Sequence, residues 1–181
     1  MRKILTSLIT FILVILTSGV GSLPASAAKC PPTDIDGKTV ANLFMGKSKV
    51  EIKRVDYPKS GVLDPPKSPR FAGVSIRHQP LSAVQGSSII VWHVSYHGCK
   101  GRLNMLSEAP LNTKFSVVDE KGGNSEYQVV KNFKIKKGAY EADWFRLNGS
   151  RQLVFVTCTG KVVNGHYTQN QILIAIPTQV N

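Results

Sequence analysis

Acidic residues are what this chain most conspicuously lacks. It carries 11 Asp and Glu against 23 Lys and Arg, a formal net charge of +12 over 181 residues. The patterns that turn such a charge into a nucleic-acid surface are also missing. The lysines are scattered, around 47–53, 131–137 and 161, with no basic helix and no stripe of interleaved aromatics. Nucleic acid is therefore excluded as the expected partner. No Cys-x-x-Cys or His-Glu-x-x-His spacing occurs, so no metal is indicated, and no cofactor motif is found. Internal repeats and low-complexity tracts are absent. Cysteine is sparse and odd in number: Cys30, Cys99 and Cys158.

At the N-terminus, Arg2 and Lys3 precede an uncharged stretch over 4–28 that ends in Ala25-Ser26-Ala27. This reads as a signal peptide over 1–27, cleaved after Ala27. The competing reading is an uncleaved N-terminal membrane anchor, since about 20 apolar residues span a bilayer. Either way the remainder lies outside the cytoplasm, secreted or anchored at the cell surface. There, anionic wall polymer or a membrane surface is the natural counterpart of the charge. Disulfides persist in such compartments, and an odd cysteine count leaves one thiol over. Cys30 and Cys99, both in turn-rich segments, are the natural pair, with Cys158 left free; three free thiols is the alternative.

The polar, proline-containing segment 28–49 reads as a linker or N-terminal cap, in which 39–45 suits either a helical turn or a strand. Over 50–181, strand-like runs recur at 50–55, 73–76, 87–94, 114–118, 126–133, 152–157 and 171–176. The 114–118 and 126–133 runs flank Asp-Glu-Lys-Gly-Gly-Asn-Ser, a hairpin signature. A short helix fits only around 102–108. Four prolines over 57–69 make that segment an extended loop. Short strands with frequent Gly and Pro punctuation predict a mainly β chain folded as a closed barrel or sandwich.

Two of these runs end in reactive residues. Gln152-Leu-Val-Phe-Val-Thr-Cys-Thr-Gly160 predicts a buried strand that delivers Cys158 to its tip. Ser87-Ser-Ile-Ile-Val-Trp-His93-Val94 places His93 at a strand end, 65 residues earlier. A cysteine and a histidine so presented are the minimum for thiolate chemistry. A core cysteine and a backbone-bonded histidine are the bland alternatives. His97 is a second candidate base; His78 and His166 read as surface, and Trp144 as a buried anchor.

The order of these motifs resembles the sortases, exported cysteine transpeptidases, and most of all their class F group of actinobacteria. The resemblance runs from Val50 to Ile176. It rests on Gly61-Val-Leu-Asp-Pro-Pro before the histidine strand, His93-Val-Ser, Leu153-Val-Phe-Val-Thr-Cys158, and Gly165-His-Tyr-Thr-Gln-Asn-Gln-Ile-Leu-Ile-Ala. It implies a closed eight-stranded barrel with short helices. It implies a Cys158 thioester with a Leu-Pro-x-Thr-Gly-type sorting signal, resolved by an amine from a cell-wall precursor or a pilin lysine. His93 would act as acid and then base, and Thr157 would hold substrate or donate toward the oxyanion. The chain departs from the family in two places. The family's arginine near the last strand has no equivalent, because no arginine follows Arg151. Thr168 and Asn170 occupy the positions that could carry it, and Lys161 is the nearest cation in sequence. Trp92 stands where a small residue is usual and would narrow the cleft. A catalytically weak or inactive binding module at the cell wall is the alternative reading.

Overall fold

Alternating side chains along the strands sort the apolar residues onto two faces, and both faces become core. The computed structural model describes Cys30, residues 37–56 and residues 62–178. The strands are β1 (Thr39–Met45), β2 (Ser48–Val55), β3 (Ala72–Ser75), β4 (Ser87–Trp92), β5 (Ser95–Tyr96), β6 (Cys99–Lys100), β7 (Lys114–Asp119), β8 (Asn124–Lys136), β9 (Gln152–Val163) and β10 (His166–Pro177). Eight of them close a barrel in the order β1-β2-β3-β4-β9-β10-β8-β7, while β5 and β6 form a separate two-stranded ribbon. The β2–β3 and β4–β9 pairs are parallel.

The barrel interior is filled by Leu43, Ile52, Ile90, Trp92, Phe155 and Leu173, among others. A second cluster lies on the opposite face of β4, β9 and β10: Ile89, Val91, Val154, Ile172 and Ile174, covered by Trp144. Trp144 sits in a 3₁₀ turn, Ala142–Phe145, and packs on Phe133 with ring centroids 6.0 Å apart. Burial on both faces is why these three strands read as continuous apolar runs rather than as alternation. The short helix α1 (Asn104–Ser107) contributes Leu106, which with the preceding Leu103 joins the interior core.

The expected closed β-barrel is found, with one adjustment. Residues 39–45 form β1, which pairs with both β2 and β7 and so closes the barrel. The barrel thus begins at Thr39, inside the segment assigned to a linker or cap; Leu43, fully buried, explains why it is held there. The β7–β8 hairpin forms as expected, with the Asp119 carboxylate accepting from the amides of Lys121 and Gly123. Residues 62–69 of the proline-rich segment are irregular. The leader over 1–27 and residues 57–61 of that segment lie outside the described residues. Among the described residues, no helix is long and apolar enough to cross a membrane.

Cys30 and Cys99 form a disulfide with their Cα atoms 5.6 Å apart, leaving Cys158 as the free thiol. The bridge joins residues 69 apart in sequence, between the start of the domain and the β5–β6 ribbon. Closing a loop of that length removes unfolded-state entropy worth about 4 kcal/mol. Cys30→Ser/Cys99→Ser should therefore lose about 2–5 kcal/mol in urea unfolding. Under non-reducing denaturation, intact mass after alkylation should show one modified thiol, and all three after reduction.

Candidate active site

Strand register brings the two reactive residues to one level of the sheet. The parallel β4–β9 ladder ends with Trp92 opposite Thr157. His93 and Cys158 are the next residues on neighbouring strands. Between Trp92 and Thr157, the threonine hydroxyl donates to the tryptophan carbonyl at 2.7 Å. Thr157 is buried, with its hydroxyl proton committed to this cross-strand bond. It ties the strands together and is not free to serve as the oxyanion donor expected from the sequence.

Cys158 is not at a strand tip. β9 runs five residues past it, and the turn to β10 comes at Asn164-Gly165. What ends near Cys158 is burial: residues 152–155 are buried, whereas Gly160 to Val163 are exposed. The hairpin continues outward because Asn164 and Gly165 both adopt positive φ, 50° and 78°, as a two-residue type I′ turn requires. An Asn-Gly pair flanked by Val162-Val163 and His166-Tyr-Thr is the signal that would have predicted this extension. Gly160 and Lys161 together oppose Thr168, a β-bulge that redirects the hairpin just beyond the thiol. Val154, Val156 and Cys158 alternate onto the face that carries the second apolar cluster, so the thiol lies at the edge of that cluster.

A charged group reaches the thiol from the far side of β10. Lys137 follows β8, and its Nζ lies 3.8 Å from Cys158 Sγ, reaching across β10. Its amide bonds the Thr168 carbonyl, which fixes the lysine's backbone beside the hairpin. Lys161, the cation expected from its sequence position, is exposed in the bulge itself. Sequence order hid Lys137, because 21 residues and a strand separate it from Cys158. Asn170 is the direct cross-strand partner of Cys158, and Thr168 lies two residues further out.

His93 is half-buried and stacked by Tyr96, with ring centroids 4.6 Å apart and planes 14° from parallel. Tyr96 belongs to the β5–β6 ribbon, which the Cys30–Cys99 disulfide anchors. His97, the second candidate base, packs edge-on against Tyr96 and is exposed. The backbone at His93 is held from below. Asn104 accepts from Trp92 Nε1 and donates to the Val94 carbonyl, and the Gly101 amide bonds that same carbonyl. Trp92 itself points into the barrel core, only 1% exposed. It therefore anchors the histidine loop and does not narrow the cleft as expected, because alternation turns it away from the face that bears Cys158.

A cavity of about 260 Å³ opens beside the thiol, between Val94, Asn104 and Ser107 on one side and Cys158, Gly160 and Tyr167 on the other. His93 lies outside its lining, under Tyr96. A larger cavity of about 500 Å³ lies elsewhere, lined by Arg54, His78, Leu81 and Glu120 among others, with no cysteine. There His78 bonds Ser75, and burial pushes its pKa down. His166 is exposed at the start of β10. No cluster of three or more metal-ligating side chains occurs among the described residues.

The closed eight-stranded barrel in this strand order, with few helices, defines the class: this is a barrel of the sortase fold. Sortase A from Corynebacterium diphtheriae superposes with a TM-score of 0.61 at 13% identity, over 80% of this chain and 62% of that one. The lid mutant of Streptococcus agalactiae sortase C1 gives 0.59 at 14% identity, over 80% and 72%. Sortase C1 of GBS pilus island 1 gives 0.59 at 13% identity, over 78% and 64%. The chain thus spans under two thirds of the length of the diphtherial enzyme. No family model and no curated protein matches the sequence. At these identities the likeness carries the fold.

The packing beneath His93 is open to test. A Cβ on Gly101 would lie 1.8 Å from the His93 carbonyl oxygen. Gly101→Ala should cost about 1–3 kcal/mol in urea unfolding by overpacking. It should also displace the His93 ring resonances in NMR spectra while leaving those of His166 in place.

Proposed function

We propose that this protein is an exported, sortase-like cysteine transpeptidase, nearest in its motifs to the class F group, working outside the cytoplasm at the cell surface. The observation that carries the reading is the level placement of Cys158 and His93 on adjacent strands, with a cation 3.8 Å from the sulfur and a cavity alongside. In this reading the leader over 1–27 directs export, by cleavage or as an anchor. The domain then meets sorting-signal peptides of other surface proteins.

The chemistry runs in two halves. The Cys158 thiolate attacks the threonine carbonyl of a Leu-Pro-x-Thr-Gly-type signal, and the carbonyl π electrons move onto oxygen. Collapse of that tetrahedral intermediate breaks the Thr–Gly bond, and His93 gives its proton to the departing glycine amine. An acceptor amine, from a cell-wall precursor or a pilin lysine, then attacks the thioester as His93 takes its proton. The new amide leaves and the thiolate returns, so the cycle consumes no cofactor.

Lys137 supplies the positive charge that the family's arginine would supply. The only arginine on β9 or its immediate approach, Arg151, cannot: it is buried and bonded to Ser88 Oγ, the Gly86 carbonyl and Tyr127. Asn170, directly across from Cys158, offers amide protons toward a developing oxyanion. Thr168 and the exposed Lys161 frame the outer hairpin, where they contact substrate rather than the reacting carbonyl. Thr157 serves by holding β9 against β4.

The missing arginine also favours a second reading, a catalytically weak or inactive sortase-fold module that only binds at the wall. Hydrolysis of a fluorogenic Leu-Pro-x-Thr-Gly peptide separates the two. Cys158→Ala and His93→Ala should each abolish turnover. Lys137→Met should lower kcat/KM roughly 10- to 100-fold, less than the loss of a buried oxyanion donor because this ammonium is exposed to solvent. Lys137→Arg should restore most of it, whereas Lys161→Met should change it little. A wild-type protein without turnover, or a Cys158→Ala variant with full turnover, contradicts the enzyme.

A further inference from the structure

Six arginines lie among the described residues, and four of them have clear partners. Arg54 pairs with Glu120, Arg77 with Asp56 and Arg146 with Asp143, while Arg151 is buried among carbonyls and hydroxyls. The guanidinium groups of Arg70 and Arg102 meet no acceptor among the described residues, yet they line the same cavity of about 500 Å³. Its other walls are Lys49, Glu51, Lys53 and Phe71.

The backbone holds the two arginines together. The Arg102 amide bonds the Pro69 carbonyl at 2.9 Å, directly before Arg70. The Phe71 amide bonds the Ser68 carbonyl and the Arg70 amide bonds the Ser68 hydroxyl, so the turn that carries Arg70 is fixed as well. The floor is rigid and already neutral. Lys53 Nζ bonds Thr39 Oγ1 and the Gly37 carbonyl, lies 3.4 Å from Glu51 and sits over the Phe71 ring at 4.3 Å. Thr39 donates to the Glu51 carboxylate, which lowers its pKa against the opposing effect of burial; Lys53 and Lys49 add to the lowering. Glu51 is therefore engaged below, and its charge is matched by Lys53. Arg70, Arg102 and Lys49 remain as exposed like charges around one concavity. That arrangement is self-repulsive until an anion enters it.

We infer that this cavity is an anion-binding site, separate from Cys158, for the phosphate group of a phosphodiester-bearing surface component. One guanidinium can satisfy a carboxylate by a two-point contact. Two guanidinium forks and an ammonium lining one cavity instead match a phosphate, whose oxygens can accept from all three. The cavity has room for a phosphodiester with its flanking alcohols, and the Phe71 ring supplies an apolar wall. Arg102 lies two residues before Asn104, which lines the cavity at Cys158, so one short loop borders both sites. This site needs no transpeptidase activity.

The test is binding by isothermal titration and by NMR at low and physiological salt, with three probes: inorganic phosphate, a glycerol-phosphate oligomer, and phosphatidylglycerol vesicles. Arg70→Ser/Arg102→Ser should weaken the probe that binds about tenfold or more. Lys114→Ser/Lys131→Ser removes the same charge from exposed strand positions and should weaken it less than about twofold. Perturbed amides should cluster at 49–53, 70–72 and 101–103. Binding of the oligomer assigns a soluble polymer as the phosphate's source, and binding of the vesicles alone assigns a lipid headgroup. Equal losses in both double variants, equal binding of polyglutamate, or no binding of any probe would overturn the site. Thermal melts of the variants verify that they fold.

Discussion

The parallel pairing of β4 with β9 is the constraint on which the rest depends. It is a non-local contact, joining residues 65 apart, and it runs through the most deeply buried part of the sheet. Apolar residues on both faces of these strands pin the register, because a slip of one residue would turn each strand's side chains to the wrong cluster. The Thr157 hydroxyl bond to Trp92 closes the ladder at its end. Once that register is set, the next residue on each strand is His93 and Cys158. The site is thus a continuation of the core: the same ladder that buries Ile90 and Phe155 carries Cys158 out to the wall of a cavity three residues later.

Around this ladder, the surrounding loops act as supports. Asn104 and Gly101 hold the chain beyond Trp92, and the disulfide holds the ribbon that lays Tyr96 over His93. The hairpin of β9 and β10 carries the thiol's strand outward past a bulge. Lys137 arrives from β8, on the far side of β10. Four strands therefore contribute to one small region, which is how a barrel can keep a free thiol half exposed without loosening its packing. The positive charge near the sulfur comes from Lys137, just after β8, while Arg151 is occupied elsewhere.

Much of the barrel could be read from the sequence because its apolar runs are short and punctuated by Gly and Pro. The continuous apolar runs of β4, β9 and β10 marked the strands with two buried faces. The Cys30–Cys99 pairing followed from the expectation of export and from turn-rich surroundings, with free thiols as the alternative. What the sequence obscured has physical causes. Thr39–Met45 is short and ambiguous in period, so its place in the barrel depends on partners far away in sequence. The extension of β9 was signalled by Asn164-Gly165, but polar residues after Cys158 resembled a loop. Trp92 looked like a cleft residue because it adjoins His93, whereas alternation and the bond to Asn104 turn it into the core. Lys137 could not be recognised without the strand order that carries it across β10.

The most direct measurement is intact mass of the protein after incubation with a Leu-Pro-x-Thr-Gly peptide, quenched in acid and mapped by proteolysis. The account predicts an acyl adduct of the Leu-Pro-x-Thr fragment on Cys158, discharged on addition of an amine. A protein that never acquires this mass, with Cys158 intact and free, would contradict the reading of this site as a transpeptidase.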